Sequence, residues 1–313
     1  MTGPLQDFLS AAVTFVVAVA LYPPFIALLR RRRAGQVIQA ELPEEHQRKA
    51  GTPTAGGILF VALAIVGAAL AALAGHSGAT APLASLAAGG VIGLADDLRK
   101  LRVGSLGIPA RAKFPLQLLL AVPVAWLAHQ GHQWPFAGDI GFWYWPLAVV
   151  AIAGTANAVN LSDGIDGLCA GLTAIALLGL LLGVPGALPG EKAAGLVLLG
   201  GVCAFLVYNR HPARVFMGDA GALAIGYCIA AMALAQGYVL VLLVLGLVFE
   251  METLSVIIQV AYFKATKGRR VFKMTPIHYT FQLEGWSENR IALGFWSAGA
   301  VAAVLAAGAS RWL

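Results

Sequence analysis

Charge is scarce in this chain: Asp, Glu, Lys and Arg make up only 12% of its 313 residues, about half the share usual in soluble domains. That shortage, beside an apolar fraction of 59%, excludes both a soluble globular domain and a disordered chain. Cysteine is scarce as well. Cys169, Cys203 and Cys228 are an odd number and each lies in an apolar stretch, so a disulfide scaffold is excluded and they read as small buried hydrophobes. A basic leader is missing: MTGPLQDFLS has no Lys or Arg, and the first apolar run ends at Arg30–Arg33 instead of a small-residue cleavage site. That run therefore reads as a first transmembrane helix, not a cleaved signal. Collagen-like repetition and low-complexity tracts are also absent. The net charge of +6 and the pI of about 9.4 do not indicate a nucleic-acid partner, because on a chain of mean hydropathy +0.79 basic residues mark one membrane face.

Apolar runs fill the chain. A helix needs about 20 mostly apolar residues to span the hydrocarbon core of a bilayer. Ten runs approach or exceed that length: 5–29, 54–75, 81–96, 113–130, 141–159, 167–184, 193–208, 220–236, 238–262 and 291–310. The expectation is an all-α polytopic membrane protein of about ten transmembrane helices, with residues 1–313 forming a single integral membrane domain. The division between the eighth and ninth runs rests on their joint length and on Gln236-Gly237. Nineteen of the 21 Lys and Arg fall in alternate connections, at 30–53, 96–113, 209–219 and 263–290, and only Lys192 and Arg311 fall in the others. The positive-inside rule then puts the basic connections in the cytoplasm and both termini in the periplasm. Most other polar residues sort with the basic ones, so an active site is expected on the cytoplasmic face. The outer connections carry little beyond Asp139 and Glu191.

Four polar stretches share that face. Asp96-Asp97-Leu-Arg99-Lys100 sets two adjacent carboxylates at a helix end, where repulsion and lost hydration demand a cation or a proton. A solvated cap neutralised by Arg99 and Lys100 is the plainer alternative. Asn157-Ala-Val-Asn160-Leu-Ser-Asp163-Gly-Ile-Asp166-Gly167 puts two amides on one helical face and two carboxylates among turn-permitting glycines. Such a set suits a hydrated divalent cation, a ribose or a base edge, against an Asx-rich turn; the loop has no Lys or Arg to neutralise its acids. Asp219, in Phe216-Met-Gly-Asp219-Ala-Gly221, opens an apolar helix that it could cap. With the other acids on this face it favours Mg²⁺, a hard cation that takes oxygen ligands. The basic stretch Lys264–Arg290 contains Met274-Thr-Pro-Ile-His278-Tyr279-Thr280, suited to nucleobase stacking and phosphate contact, or to lying in the lipid interface. The six His are scattered and have no Cys nearby, which argues against zinc. Glu250 and Glu252, inside the ninth run, read as a polar break in that helix facing the bundle. Acids for Mg²⁺, bases for phosphates and a membrane face together point to phosphoryl transfer between a soluble nucleotide and a lipid.

These stretches, together with Gly35-Gln36, Lys49-Ala-Gly-Thr52-Pro53-Thr54-Ala-Gly56-Gly57 and Glu252-Thr-Leu-Ser-Val-Ile-Ile-Gln259, follow one another over nearly the whole chain. In them it resembles the polyprenyl-phosphate N-acetylhexosamine-1-phosphate transferases, and among these the phospho-N-acetylmuramoyl-pentapeptide branch. The resemblance implies attack by undecaprenyl phosphate on the β-phosphorus of UDP-N-acetylmuramoyl-pentapeptide, with Mg²⁺ as cofactor. The products would be lipid I and UMP, made at the bacterial inner membrane for peptidoglycan. It implies Asp219 as a metal ligand with Asn160 as a second. Asp96, Asp97 and Asp219 would be catalytic, Asp96 deprotonating the lipid phosphate, with Lys100 and Lys113 on phosphates. Lys49, Asp166, Phe216 and Gln259 would form the nucleoside pocket with the Gly164–Ile165 backbone. Thr54, Asn157, Asp163, Asn209, His278 and Tyr279 complete the implied substrate-binding set.

The chain departs from that pattern at three places. His278-Tyr279-Thr280 stands where the family usually has three consecutive His; either the two missing imidazoles are not essential here, or Tyr279 supplies stacking and a hydroxyl instead. Gly221-Ala222 replaces the usual Gly-Ser, and Ala55 stands where Met is common. The implied partners are the UDP-linked donor, undecaprenyl phosphate and the bilayer, with a homodimer as one compatible assembly. The nearest alternative is an N-acetylglucosamine-1-phosphate transferase of the same superfamily, which the Lys49–Gly57 and Glu252–His278 stretches disfavour. An ion-coupled transporter would hold its acids near the midplane between internal repeats, whereas here they gather at one face.

Overall fold

The computed structural model describes residues 4–32, 49, 51–103, 107–129 and 141–312. Gly35, Gln36 and Asp139, singled out above, lie outside the described residues. The described chain is all α-helical. In order run α1 (Pro4–Arg31), α2 (Gly57–Leu73), α3 (Thr80–Val103), α4 (Ala110–His129), α5 (Tyr144–Leu161) and α6 (Leu168–Leu178), which a π-helical turn, Gly179–Gly183, extends. Then come α7 (Pro189–Asn209), α8 (Asp219–Ala235), α9 (Val239–Leu245), α10 (Leu247–Ala265), α11 (Ile277–Leu283) and α12 (Glu288–Ala309). In hydrocarbon every backbone N–H and C=O must be satisfied within the segment, and runs of Leu, Ala and Val do so as helices.

Six of these helices are long and apolar enough to cross a membrane, and the α9–α10 pair makes a seventh if counted as one span. The helices Gly57–Leu73, Leu168–Gly183 and Asp219–Ala235 are apolar but shorter. Every apolar run of the sequence coincides with a helix or with the α9–α10 pair. The ninth run departs from a straight span: α9 and α10 meet at 79°. The break lies at Gly246, not at Glu250 and Glu252, which sit beyond it in α10. Gly246 caps both helices, donating its N–H to Leu242 O at 2.7 Å and accepting the Glu250 N–H at 2.9 Å.

The bundle is built around α8, all of whose residues are buried. It packs most extensively on α3 and then on α5. Close approach is made by glycine: a Cβ at Gly93 of α3 would overlap the Asp219 carbonyl, and one at Gly226 of α8 would overlap Ala156 of α5. Small residues at helix contacts are the usual device where lipid removes the hydrophobic drive for association. Outward faces carry exposed Val66, Leu70, Leu119, Trp126, Leu293 and Val304, as a lipid-facing surface requires. The end of the bundle where α3 finishes and α8 begins collects the polar connections.

Candidate active site

Asp97, near the end of α3, caps α8. Its Oδ1 accepts the Asp219 N–H and its Oδ2 the Ala220 N–H, both at 3.0 Å, so an anion meets the positive end of a helix dipole. Gly218 allows the approach with φ +77°; a Cβ there would come within 2.7 Å of Asp97 Oδ2. The cap draws Asp219 beside the acidic pair, and one carboxylate oxygen from each of Asp96, Asp97 and Asp219 lies within 4.8 Å of the others. All three side chains are buried.

Two ammonium groups answer these three acids. Lys100 Nζ bridges Asp96 Oδ2 at 2.8 Å and Asp219 Oδ1 at 2.7 Å. Lys113, from the first turn of α4, binds Asp219 Oδ2 and lies 3.7 Å from Asp96 Oδ1. The Ile108 N–H donates to Asp96 Oδ1 at 2.7 Å. A fourth acid stands close by: burial first, then the Asp219 and Asp97 carboxylates, push Asp163 up to about 7, against a hydrogen bond from the Gly218 backbone. Three convergent carboxylates are a hard oxygen donor set that fits Mg²⁺, and the excess of acid over base leaves room for its charge. Asn160 is half-buried in the last turn of α5, where its carbonyl accepts the Asp163 N–H at 3.3 Å. No hydrogen bond among the described residues joins its amide to Asp219. Asn157 turns toward α4, donating to Gln117 Oε1 at 2.7 Å.

A second polar cluster lies around Asp166. Its Oδ1 meets Lys49 Nζ at 2.7 Å. Its Oδ2 accepts the Ala213 N–H at 2.9 Å and lies 3.0 Å from His211 Nδ1. The same lysine meets Glu288 Oε1 at 2.6 Å. Asn209 is buried as a brace, accepting the Gly167 N–H and donating to Val215 O, each at 3.0 Å. Phe216 is half-buried; its N–H donates to Pro53 O and its carbonyl accepts the Gly56 N–H, both at 2.8 Å. That pairing carries the buried Thr54 into the same region.

The third group comes from α10 and α11. His278 Nδ1 lies 3.0 Å from Glu252 Oε2, and the His278 Nε2 side packs so tightly on Gly164 that a Cβ there would overlap it. Tyr279 packs against His278, ring centroids 4.1 Å apart and planes tilted by 59°, and donates its hydroxyl to Gly164 O at 3.3 Å. Gln259 accepts the Val271 and Phe272 N–H groups, both at 3.0 Å, and so shapes the basic stretch before α11. Contacts thus link the connections around Lys49, Asp96–Lys113, Asp163–Asp166, Asn209–Asp219 and His278 into one cleft. Sequence reasoning missed Glu288, Gln117 and His211. Glu288 had a signal in Ser287-Glu288-Asn-Arg290, a cap followed by an acid at the start of an apolar helix, which reads as ordinary helix initiation.

A family model described as glycosyl transferase family 4 matches residues 79–237. Relatives called phospho-N-acetylmuramoyl-pentapeptide-transferase align over nearly the full chain. That of Geobacillus kaustophilus is 43% identical, with 97% of this chain and 98% of the relative covered. That of Desulforudis audaxviator is 42% identical, with 95% and 96% covered. That of Bacillus thuringiensis is 40% identical, with 97% and 98% covered.

Proposed function

The chain belongs to the phospho-N-acetylmuramoyl-pentapeptide-transferases, within glycosyl transferase family 4, and from that premise we propose how its cleft works. It transfers phospho-N-acetylmuramoyl-pentapeptide from the UDP-linked donor to undecaprenyl phosphate, giving lipid I and UMP for the cell wall. It is a multi-pass phosphotransferase of the bacterial inner membrane. The observation that carries this reading is the convergence of Asp96, Asp97 and Asp219 with Lys100 and Lys113 at the buried end of α8. Asp219 would hold Mg²⁺, with the Asp96 and Asp97 carboxylates adding negative charge around it, and the ion when bound would supply positive charge to the donor pyrophosphate.

The chain's own residues do the rest. Lys100 and Lys113 turn from carboxylates to the phosphates as substrate arrives, stabilising the charge that builds in the transition state. An oxygen of the lipid phosphate attacks the β-phosphorus, the bond to the α-phosphate breaks, and UMP leaves. Asp96 accepts the proton of a monoprotonated acceptor once Lys100 has released its Oδ2. Asp97 keeps the end of α8, and so Asp219, in register. Lys49, Asp166, Phe216 and Gln259 take the nucleoside, with His278 and Tyr279 on the Gly164–Ile165 backbone beside it. An apolar cavity of about 560 Å³ between α5 and the bent α9–α10 pair, lined by Val150, Gly154, Leu243 and Leu254, suits a polyprenyl chain. The topology follows the basic asymmetry of the connections: ten crossings, both termini periplasmic, and the cleft on the cytoplasmic face.

The test is UMP release by the purified chain with undecaprenyl phosphate and Mg²⁺, using either UDP-N-acetylmuramoyl-pentapeptide or UDP-N-acetylglucosamine. Turnover with the first donor alone is expected. Turnover with UDP-N-acetylglucosamine alone would assign the chain to the other branch of the superfamily.

A further inference from the structure

The first turn of α12 sends Glu288 into the cleft, away from the carboxylates at the end of α8. Its side chain is 1% exposed. Four groups surround it, three of them from distant parts of the chain. Lys49 Nζ lies 2.6 Å from Oε1, the Asp166 N–H donates to Oε2 at 3.0 Å, Gln282 Nε2 donates to Oε1 at 3.3 Å, and His211 Nδ1 lies 3.6 Å from Oε2. A buried carboxylate is tolerated only when paired and hydrogen-bonded, and this one is paired with residues that have work elsewhere.

Glu288 acts twice on Asp166. It holds the Asp166 backbone through the N–H, which fixes where the side chain starts. It also holds Lys49, whose ammonium binds Asp166 Oδ1 at 2.7 Å. With His211 and the Ala213 N–H on Oδ2, the Asp166 carboxylate is left one orientation. Lysine is rotamer-rich, so a lysine already seated between two carboxylates loses little further freedom when a ligand arrives.

We propose that Glu288 is a positioning residue for the nucleotide donor, acting through Lys49 and Asp166. It presents an ammonium group and a carboxylate in fixed places to a nucleoside, which a flexible pair would have to order on binding. The inference rests on the reading that Lys49 and Asp166 meet the nucleoside.

The probe is UMP, titrated against the full-length protein in detergent. Failure of the wild-type protein to bind UMP would sink the functional reading itself, and is therefore distinct from failure of the positioning role. Given binding, Glu288→Gln is expected to raise the UMP Kd about tenfold, or about 1.4 kcal/mol. The donor KM should rise in step, with kcat and the KM for undecaprenyl phosphate within about twofold of wild type. A merely structural role would lower kcat and leave the donor KM unchanged, and that outcome overturns the proposal, as does an unchanged Kd. Lys49→Met supplies the second arm. If Glu288 acts through Lys49, the double variant costs little more than Lys49→Met alone, whereas fully additive losses overturn the coupling. Should Glu288→Gln not fold, Gln282→Leu removes one donor to the same carboxylate and keeps its charge. A weakening of UMP binding of about two- to threefold then supports the proposal, and no change overturns it.

Discussion

His278 and Glu252 form a fully buried pair, with the imidazole Nδ1 3.0 Å from the carboxylate Oε2 and neither side chain exposed. The pairing decides which ring nitrogen carries the proton. Nδ1–H faces Glu252, and Nε2, which has no hydrogen-bond partner among the described residues, faces the Gly164 backbone.

Replacing Glu252 by Gln should therefore be costly despite the matched shape. The amide can offer Nδ1 an N–H and invert the tautomer, and it weakens a hydrogen bond made by a charged acceptor, worth about 1.5–3 kcal/mol. Turnover is expected to fall about tenfold or more in a UMP-release assay. A Glu252→Gln protein with wild-type turnover would remove His278 from the working site.

Asp219→Asn should abolish transfer while the protein still folds in detergent. An amide is a weaker Mg²⁺ ligand of the same shape, and it offers Lys100 and Lys113 a neutral partner. Retention of more than a small fraction of wild-type turnover at saturating Mg²⁺ would contradict Asp219 as a ligand.

Asp97→Asn separates the two neighbouring acids by a different readout. Its oxygens accept both N–H groups at the head of α8, and an amide can accept only one of them. Loss of a cap costs about 1 kcal/mol, a fall in thermal midpoint of about 1–2 °C for a chain of 313 residues. Asp97→Asn is expected to lose both activity and this increment of stability. An unshifted midpoint would deny Asp97 its capping role.

The orientation is checked by single-cysteine labelling in intact cells and inverted vesicles, on a chain whose Cys169, Cys203 and Cys228 have been replaced. A cysteine at Lys192 should react from the periplasmic side, and one at Arg270 only from the cytoplasmic side. Periplasmic reaction at Arg270 would overturn both the topology and the side on which the donor binds.

The sequence made the helices legible because lipid allows a spanning segment few alternatives: long apolar runs become helices wherever they occur. It showed less of how they bend. The break at Gly246 falls within an unbroken apolar stretch, and glycine among Leu and Val gives no more signal there than at a packing contact. Asp96, Asp97, Asp166 and Asp219 stood out because carboxylates on an apolar chain are few. Their division of labour did not, since only the folded chain sets the two N–H groups at the head of α8 in front of Asp97 and leaves the Asp219 oxygens to Lys100 and Lys113. Glu288 was hidden for the same reason. An acid in the first turn of a helix is ordinary, and only the folded chain brings Lys49 to it across more than two hundred residues.

The burial of α8 on every side has a consequence for the membrane around the protein. Its 17 residues span about 25 Å at 1.5 Å per residue, short of the hydrocarbon thickness of about 30 Å. Since α8 touches neighbouring helices and not acyl chains, that shortfall creates no hydrophobic mismatch. Thickness sensing is left to the outer helices, which can tilt, while the element carrying Asp219 keeps its distance from Asp97. The spacing of the acids is set by the Asp97 cap on the head of α8 and by the close α3–α8 contact at Gly93, not by the match of α8 to the bilayer.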